Sequence, residues 1–339
     1  LGLDPQVGRT TAILGSDVDH QPILSIVSHR IVAMTGIVIP TLGGRHLPHC
    51  LDAVAALDPP AGPTVVVASG GAAPTVSPQA GEVVAIDRRL GFAAAANVGI
   101  DRLGDDCDRI ALLNDDAVPA PGWLAPLEAA LDDDPRRAAV QGTVTDAVGA
   151  AVDGRGIALD AVGLPVQIDR GGSPAPEANE PRALLAVSGT AALFRTDALQ
   201  EAALADGSIF DPGFGSYHED LDLGLRLKRL GWEAAWVPGA WAGHVGSASG
   251  RRLGWRHPWW VLTNRWRAIA GNLTPAAVLA ALPTLLRGEL RAIRTLAGRN
   301  PRAIPVAALA LIAVPWLVVF ALARPSPGPR LIALPEVRT

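Results

Sequence analysis

Between residues 36 and 131 short apolar runs alternate with segments of helical spacing, and this alternation restricts the fold more than any other feature of the chain. Residues 36–41 read as a buried strand, 47–57 as a helix stopped by Pro59-Pro60, and 64–68 and 82–86 as two further strands. Residues 93–103 read as a helix, 109–113 as a fourth strand and 123–131 as a helix. Apolar strands separated by helices predict an α/β fold: an open, mostly parallel sheet flanked by helices. In such sheets ligands lie beyond the carboxyl ends of the strands, so chemistry is expected in the loops after Ile39, Ala68 and Leu113. Residues 142–182, rich in Gly, Pro and Asp, read as loops with short strands, and a later strand is expected at 234–237.

The chain has 339 residues, of which 49% are apolar and 18% charged, enough for a sizeable core and unlike a disordered segment. Cys50 and Cys107 lack metal-ligand spacing and are expected to be buried free thiols. The only methionine, Met34, precedes the first strong strand, and residues 1–33 show no sustained period. They are expected to be a poorly ordered extension, with the functional chain starting at Met34.

Charge is unevenly distributed. From Arg251 onward 13 arginines accompany only Glu289 and Glu336, a net +11, which leaves −15 for the rest. Trp255, Trp259, Trp260 and Trp266 alternate there with Arg and His, residues 276–297 have amphipathic helical spacing, and residues 303–323 carry no charge. Such an apolar, basic tail predicts a membrane surface rather than nucleic acid as its partner, and 303–323 is long enough to cross hydrocarbon. The expected divisions are thus 1–33, a catalytic domain over 34–250, basic Trp/Arg-rich amphipathic helices over 251–300, and a hydrophobic helix and tail over 301–339.

Two groups of acids carry the candidate chemistry. Asn114-Asp115-Asp116 follows a buried strand, where adjacent carboxylates are costly without a cation. A hard divalent ion bridging a diphosphate fits there, and so does an ordinary Asp-rich turn. Glu219, Asp220 and Asp222 open an apolar-faced helix behind the loop 214–218. The helix dipole favours acids there, and a carboxylate at that mouth is also placed to accept a proton. His244, in a Gly-flanked loop expected after the last strand, is a candidate third metal ligand. The small-residue turn 91–99 would let a backbone approach a ligand closely, or serve helix packing.

In this order, over about residues 34–249, the segments resemble family 2 glycosyltransferases with the GT-A fold. Ile37-Val38-Ile39-Pro40-Thr41 is similar to the opening strand and loop, Asp87 to Gly91-Phe92 with Asn97 and Gly99 to a conserved-order Gly/Asn stretch, and Leu112 to Asp116 to the D-x-D-type metal motif. The longest likeness runs from Phe210-Asp211 through Tyr217-His218-Glu219-Asp220-Leu221-Asp222 to Gly231-Trp232 and Val237-Pro238. The resemblance implies that Asp116, assisted by Asp115, and His244 hold Mg²⁺ or Mn²⁺, and that Asp220 is the general base, with Glu219 beside it as a second catalytic candidate. It implies that Pro40, Thr41, Ser69, Gly91, Asn97, Asn114 and Asp115 face a nucleoside-diphosphate sugar donor. The short rhamnosyltransferase-like members of bacterial cell-wall and polysaccharide assembly look nearest. The apolar, basic tail suggests a glycan or polyprenyl-diphosphate-linked acceptor at the cytoplasmic face of the membrane, and a scheme that needs no separate nucleophile implies inversion at the sugar. One departure is Ala68, where relatives carry an Asp that contacts the base of the nucleotide. Either Ser69 and backbone groups replace it, or nucleotide specificity is altered. Rival readings are a sugar nucleotidyltransferase, with 41–45 as a partial phosphate loop, and a non-catalytic nucleotide-sugar binder on the membrane.

Overall fold

The computed structural model describes residues 33–71, 81–175, 179–246 and 254–335. Strand β1 (Thr35–Thr41) pairs in parallel with β2 (Thr64–Ser69) on one side and with β4 (Arg109–Leu113) on the other, and β2 pairs in parallel with β3 (Glu82–Ile86). Helix α1 (Leu47–Ala55) joins β1 to β2, and helix α2 (Phe92–Leu103) joins β3 to β4. The chain therefore moves outward from β1 and then returns to its other side. The crevice beyond β1 and β4 is the switch point at which open α/β sheets bind ligands.

Side chains alternate across the sheet, as the strand period of two requires. Val38, Val65, Ile110 and Leu112 pack with Ala93, Ala96 and Ile100 of α2. Ile37, Ile39, Val66, Ala111 and Leu113 pack with Leu47 and Leu51 of α1 and with Leu124 and Leu127 of helix α3 (Leu124–Asp133). Cys50 and Cys107 are buried free thiols, as expected.

Beyond β4 the sheet continues through the antiparallel β11 (Ala191–Arg195) to β6 (Arg137–Asp146), then β12 (Glu233–His244) parallel to β6, and β10 (Arg182–Leu184) at the edge. The short β5 (Ala117–Pro119) and β7 (Val152–Gly154) pair with β12 and β6, and β8 (Ile157–Leu159) with β9 (Pro165–Gln167) form a separate ribbon. Two expectations are corrected here. Part of the stretch read as loops, 142–146, belongs to a long interior strand, and the strand expected to end at Val237 runs on to His244. Small and polar residues hid β6. Gln141 is fully buried because its Oε1 accepts the Ser188 amide at 2.6 Å, and Gly142 lies where a Cβ would stand 2.1 Å from the Ala240 carbonyl oxygen.

Helix α4 (Thr196–Glu201) follows β11, and helix α5 (Glu219–Arg229) is buried on two sides. Leu223 and Leu227 face the sheet core, whereas Leu221 and Leu225 pack with Phe214 and Ala268. Ala268 belongs to α6 (Arg256–Asn272), which is followed by α7 (Pro275–Arg299) and α8 (Ile304–Ala323). Thr274 caps α7 by accepting the Ala277 amide, and Pro275 starts it.

The described residues from Ala33 onward form one compact unit, and α5 packs against α6 across the division expected at Gly250, which itself lies outside the described residues. The extension expected over 1–33 also lies outside them except for Ala33. The tail's residues are not all surface groups. Trp266 is 3% exposed and donates to Glu289 Oε2 at 2.7 Å, and Arg265 pairs with the same carboxylate at 2.5 Å.

Gly142→Ala forces a Cβ into backbone and is expected to destabilise the fold by about 1–3 kcal/mol. Gly122→Ala, where nothing lies within 4 Å, leaves the fold unchanged. Urea midpoints of the two variants check this.

Candidate active site

The Asp pair sits on a tight turn. The Ala117 amide donates to the Asn114 carbonyl at 3.0 Å, leaving Asp115 and Asp116 at the centre of a turn immediately after β4. The Asp-rich turn and the carboxylate site are thus the same object. Pairing of β5 with β12 sets His244 opposite Ala117, one residue from Asp116. His244 Nε2 lies 3.2 Å from Asp116 Oδ1, and His244 Nδ1 lies 2.8 Å from Asp153 Oδ2 on β7. Burial disfavours the His244 cation, but hydrogen bonds and charge from Asp116 and Asp153 outweigh it and raise the ring to about 9. The His244 bond in turn holds Asp153 below the usual carboxylate range.

Asp115 has a different role. Its Oδ2 accepts from the Thr41 hydroxyl at 2.5 Å, and Gly44 packs on it so closely that a Cβ there would approach Oδ2 to 2.7 Å. Burial raises the Asp115 carboxyl. Asp115 therefore ties the loop after β1 to the turn after β4, across the switch point. The Thr41 hydroxyl also accepts the Gly43 amide at 3.0 Å and the Gly44 amide at 3.4 Å. The Thr41 side chain thus engages both amides of the Gly43-Gly44 turn.

The second group of acids is divided by burial. Glu219 is 6% exposed, its Oε2 has no hydrogen-bond partner among the described residues, and burial followed by the charge of Asp220 raises its carboxyl well above the usual range. Its carboxyl is turned inward, beside Asp220 rather than at the surface. Asp220 is half-buried. Its Oδ1 accepts the Leu221 amide at 2.8 Å and its Oδ2 the Gly189 amide at 3.4 Å. Burial lifts it to about 6 against those two donors. Asp222 is fully buried and salt-bridged to Arg226 at 3.0 Å, so it belongs to the scaffold.

One loop joins the two groups. The Asn114 amide donates to the Thr190 carbonyl at 2.9 Å, and the neighbouring Gly189 donates to Asp220. The turn bearing Asp116 and the helix bearing Asp220 are therefore both anchored to residues 189–190. An open cavity of about 560 Å³ lies beside His244, lined by His46 just before α1, by His49 and Asp52 of α1 and by Val118 and Val245. That volume suits a small ligand.

Three of the residues expected to face the donor make close contacts within the protein. Asn97 is buried and clasps the Phe210 backbone, donating to its carbonyl at 2.7 Å and accepting its amide at 2.9 Å. Gly91 approaches the Gly215 backbone closely: a Cβ would stand 2.3 Å from the Gly215 carbonyl oxygen. The Ser69 hydroxyl accepts the Leu90 amide at 3.2 Å. Pro40 is buried in β1 opposite Val67.

Sequence reading missed Asp153, which lies in a stretch with no periodic signal, and Asn264 of α6. The Asn264 side-chain amide donates to the carbonyls of Phe214, Ser216 and Tyr217 at 2.8, 3.0 and 2.9 Å. It thereby supports a loop in which Gly215, Tyr217 and His218 all have positive φ, a strained arrangement for the last two.

Among the described residues no three His, Cys, Asp or Glu side chains converge as a metal cage. The pair Asp116–His244 still fits a hard divalent ion that takes its other ligands from phosphate and water. His244, fixed through its far nitrogen by Asp153, has the support that metal-binding imidazoles receive.

The family model described as "Glycosyl transferase family group 2" matches residues 109–326, from β4 through α8. No curated protein matches the sequence. Among solved structures, GalNAc-T7 with UDP, GalNAc and Mn²⁺ is similar at 16% identity and a TM-score of 0.49, over 63% of this chain and 44% of that one. The chain thus spans less than half of that protein. The mannosyltransferase PcManGT from Pyrobaculum calidifontis, in complex with GDP-Man and Mn²⁺, is similar at 20% identity and a TM-score of 0.48, over 85% of this chain and 78% of that one. TarS from S. aureus gives 12% and 0.43, over 85% and 54%.

Asn97→Ala orphans both Phe210 backbone groups and is expected to lower stability by about 1–3 kcal/mol. Calorimetric titration with a nucleoside diphosphate, well below the melting point, should give unchanged affinity. Lost affinity in the folded variant would return Asn97 to the ligand.

Proposed function

The chain belongs to glycosyl transferase family group 2, and we propose that it is an inverting, divalent-metal-dependent enzyme that moves a sugar from a nucleoside diphosphate to a hydroxyl of a lipid-linked glycan. The observation that carries this reading is the anchoring of Asn114, two residues before Asp116 on the same turn, to Thr190 and of Asp220 to the adjacent Gly189. Asp116 and His244 would hold the metal, which when bound neutralises charge on the departing diphosphate. Asp220 accepts the proton of the attacking hydroxyl. Its two amide donors favour the carboxylate, and burial keeps it basic enough to take a proton near neutrality. With a base and no covalent nucleophile in the scheme, displacement is direct and the anomeric configuration inverts. Rhamnose is the sugar suggested by the resemblance to short rhamnosyltransferase-like members.

The acceptor reading rests on the tail. α8 has a mean hydropathy of 2.6 and is 22% buried. Ala307, Ala310, Val314 and Ala321 pack inward, while Leu309, Ile312, Trp316, Val319 and Phe320 are exposed. On α7, Leu279, Leu282, Leu286 and Leu290 form an exposed stripe beside the exposed Arg287 and Arg294. An apolar face with a basic rim suits the anionic cytoplasmic leaflet, and a lipid-borne acceptor would meet the enzyme there.

Asp220→Asn should lower kcat by about 10²–10⁴-fold while Mn²⁺-dependent thermal stabilisation by the donor persists. In the wild type the folded-state carboxyl is raised, so the carboxylate fraction grows through about pH 6, and kcat/KM should fall on the acid side of that value. Near-full turnover in the variant would remove Asp220 as base. The double change Ile312→Glu with Phe320→Glu should weaken flotation with anionic vesicles by at least about tenfold and spare transfer to a soluble acceptor. Unchanged flotation would mean that this face does not meet lipid.

A further inference from the structure

The segment from Asp211 to Asp222 carries the turn at Pro212–Phe214, the positive-φ loop and the Glu219–Asp220 pair. Its two ends are carboxylates, and one guanidinium holds both. Arg324, the residue that ends α8, donates from Nη1 to Asp211 Oδ2 at 2.6 Å and from Nη2 to Asp222 Oδ1 at 2.7 Å. We propose that Arg324 is a positioning residue that closes this segment as a clasp and so fixes the Asp220 carboxylate relative to the turn bearing Asp116.

The surroundings leave the guanidinium little freedom. Gly271 of α6 makes room for it, since a Cβ there would lie 3.1 Å from Nη2. Asp222 has no exposure, so neither water nor a surface cation replaces a lost partner. Asp211 also caps the turn by accepting the Gly213 amide at 2.8 Å, so releasing Arg324 loosens the start of the loop as well as the first turn of α5. Tying both ends of a segment removes the loop freedom its middle would otherwise have. A lysine, with a compact ammonium in place of a planar fork, cannot span the two carboxylates in the same way.

The kinetic half of the proposal rests on Asp220 as base, and the structural half does not, so full-length Arg324→Gln, Arg324→Lys and Asp211→Asn are tested by two readouts. In Arg324→Gln, hydrogen exchange of the amides over residues 213–220 should accelerate by at least about tenfold. kcat should fall on the order of tenfold to a hundredfold, as for a misplaced catalytic group, with donor KM within about threefold of wild type. Arg324→Lys should recover part of both, and adding Asp211→Asn to Arg324→Gln should lose less than the sum of the two, because they share one contact. Wild-type exchange in Arg324→Gln, or wild-type kcat, overturns the clasp. If Arg324→Gln does not fold, exchange and kcat in Arg324→Lys and Asp211→Asn decide by the same criteria. A wild-type chain without sugar transfer would sink the transferase reading, and the exchange rates alone would then decide the clasp.

Discussion

Asp222 is fully buried, so its charge must be neutralised entirely by protein, and the donors come from its own helix and from two distant parts of the chain. Arg226 Nε lies one helical turn along α5, Asn272 Nδ2 ends α6, and Arg324 Nη2 ends α8. Burying an ion is tolerable only with this degree of pairing, and removal of one partner from such a group costs about 3–5 kcal/mol. The same carboxylate stands two residues after Asp220. The packing of the whole C-terminal region is thereby a condition for the position of the candidate base. Arg229, further along α5, extends the arrangement by donating to Ser326 Oγ at 2.9 Å and to the Gly328 and Pro329 carbonyls at 2.6 and 2.9 Å.

This gives the tail two duties. Its outward faces are apolar, on α7 and α8, while its inward polar groups complete the catalytic body. Asn264 gathers three carbonyls of the acid loop, and Arg267 stacks over Phe214 with its Cζ 4.7 Å from the ring centre and pairs with Asp211 at 3.3 Å. Several arginines that look like a basic lipid-binding stretch in the sequence are therefore internal counter-ions. The positive charge left at the surface of the tail is on exposed residues such as Arg287 and Arg294.

The sheet half of the molecule was legible in the sequence because each strand there is apolar on both faces and each helix has a clear stop. Periodicity of that kind is local, and β1 to β4 with α1 to α3 follow it closely. β6 was not legible. It is an interior strand built from Ala, Gln, Gly and Thr, and its polar groups are satisfied by Ser188, Arg155 and Trp236, residues that no local pattern connects to it. For the site, the sequence marked Asp116, Asp220 and His244 but offered no sign of Asp153 or Asn264, whose partners lie 91 and about 50 residues away.

What the sequence alone determined is the set of elements and the residue types at their ends, because helix spacing, strand alternation and stop signals act over a few residues. The tertiary structure alone decided how those residues are used. Asn97, Ser69 and Gly91 carry the residue types of a ligand site and became internal clasps, while Arg324, at the edge of an apolar run, became a partner of the acid loop. Hydrogen bonds and ion pairs depend on distance in space, and a buried polar group takes whichever partner the fold brings within about 3 Å.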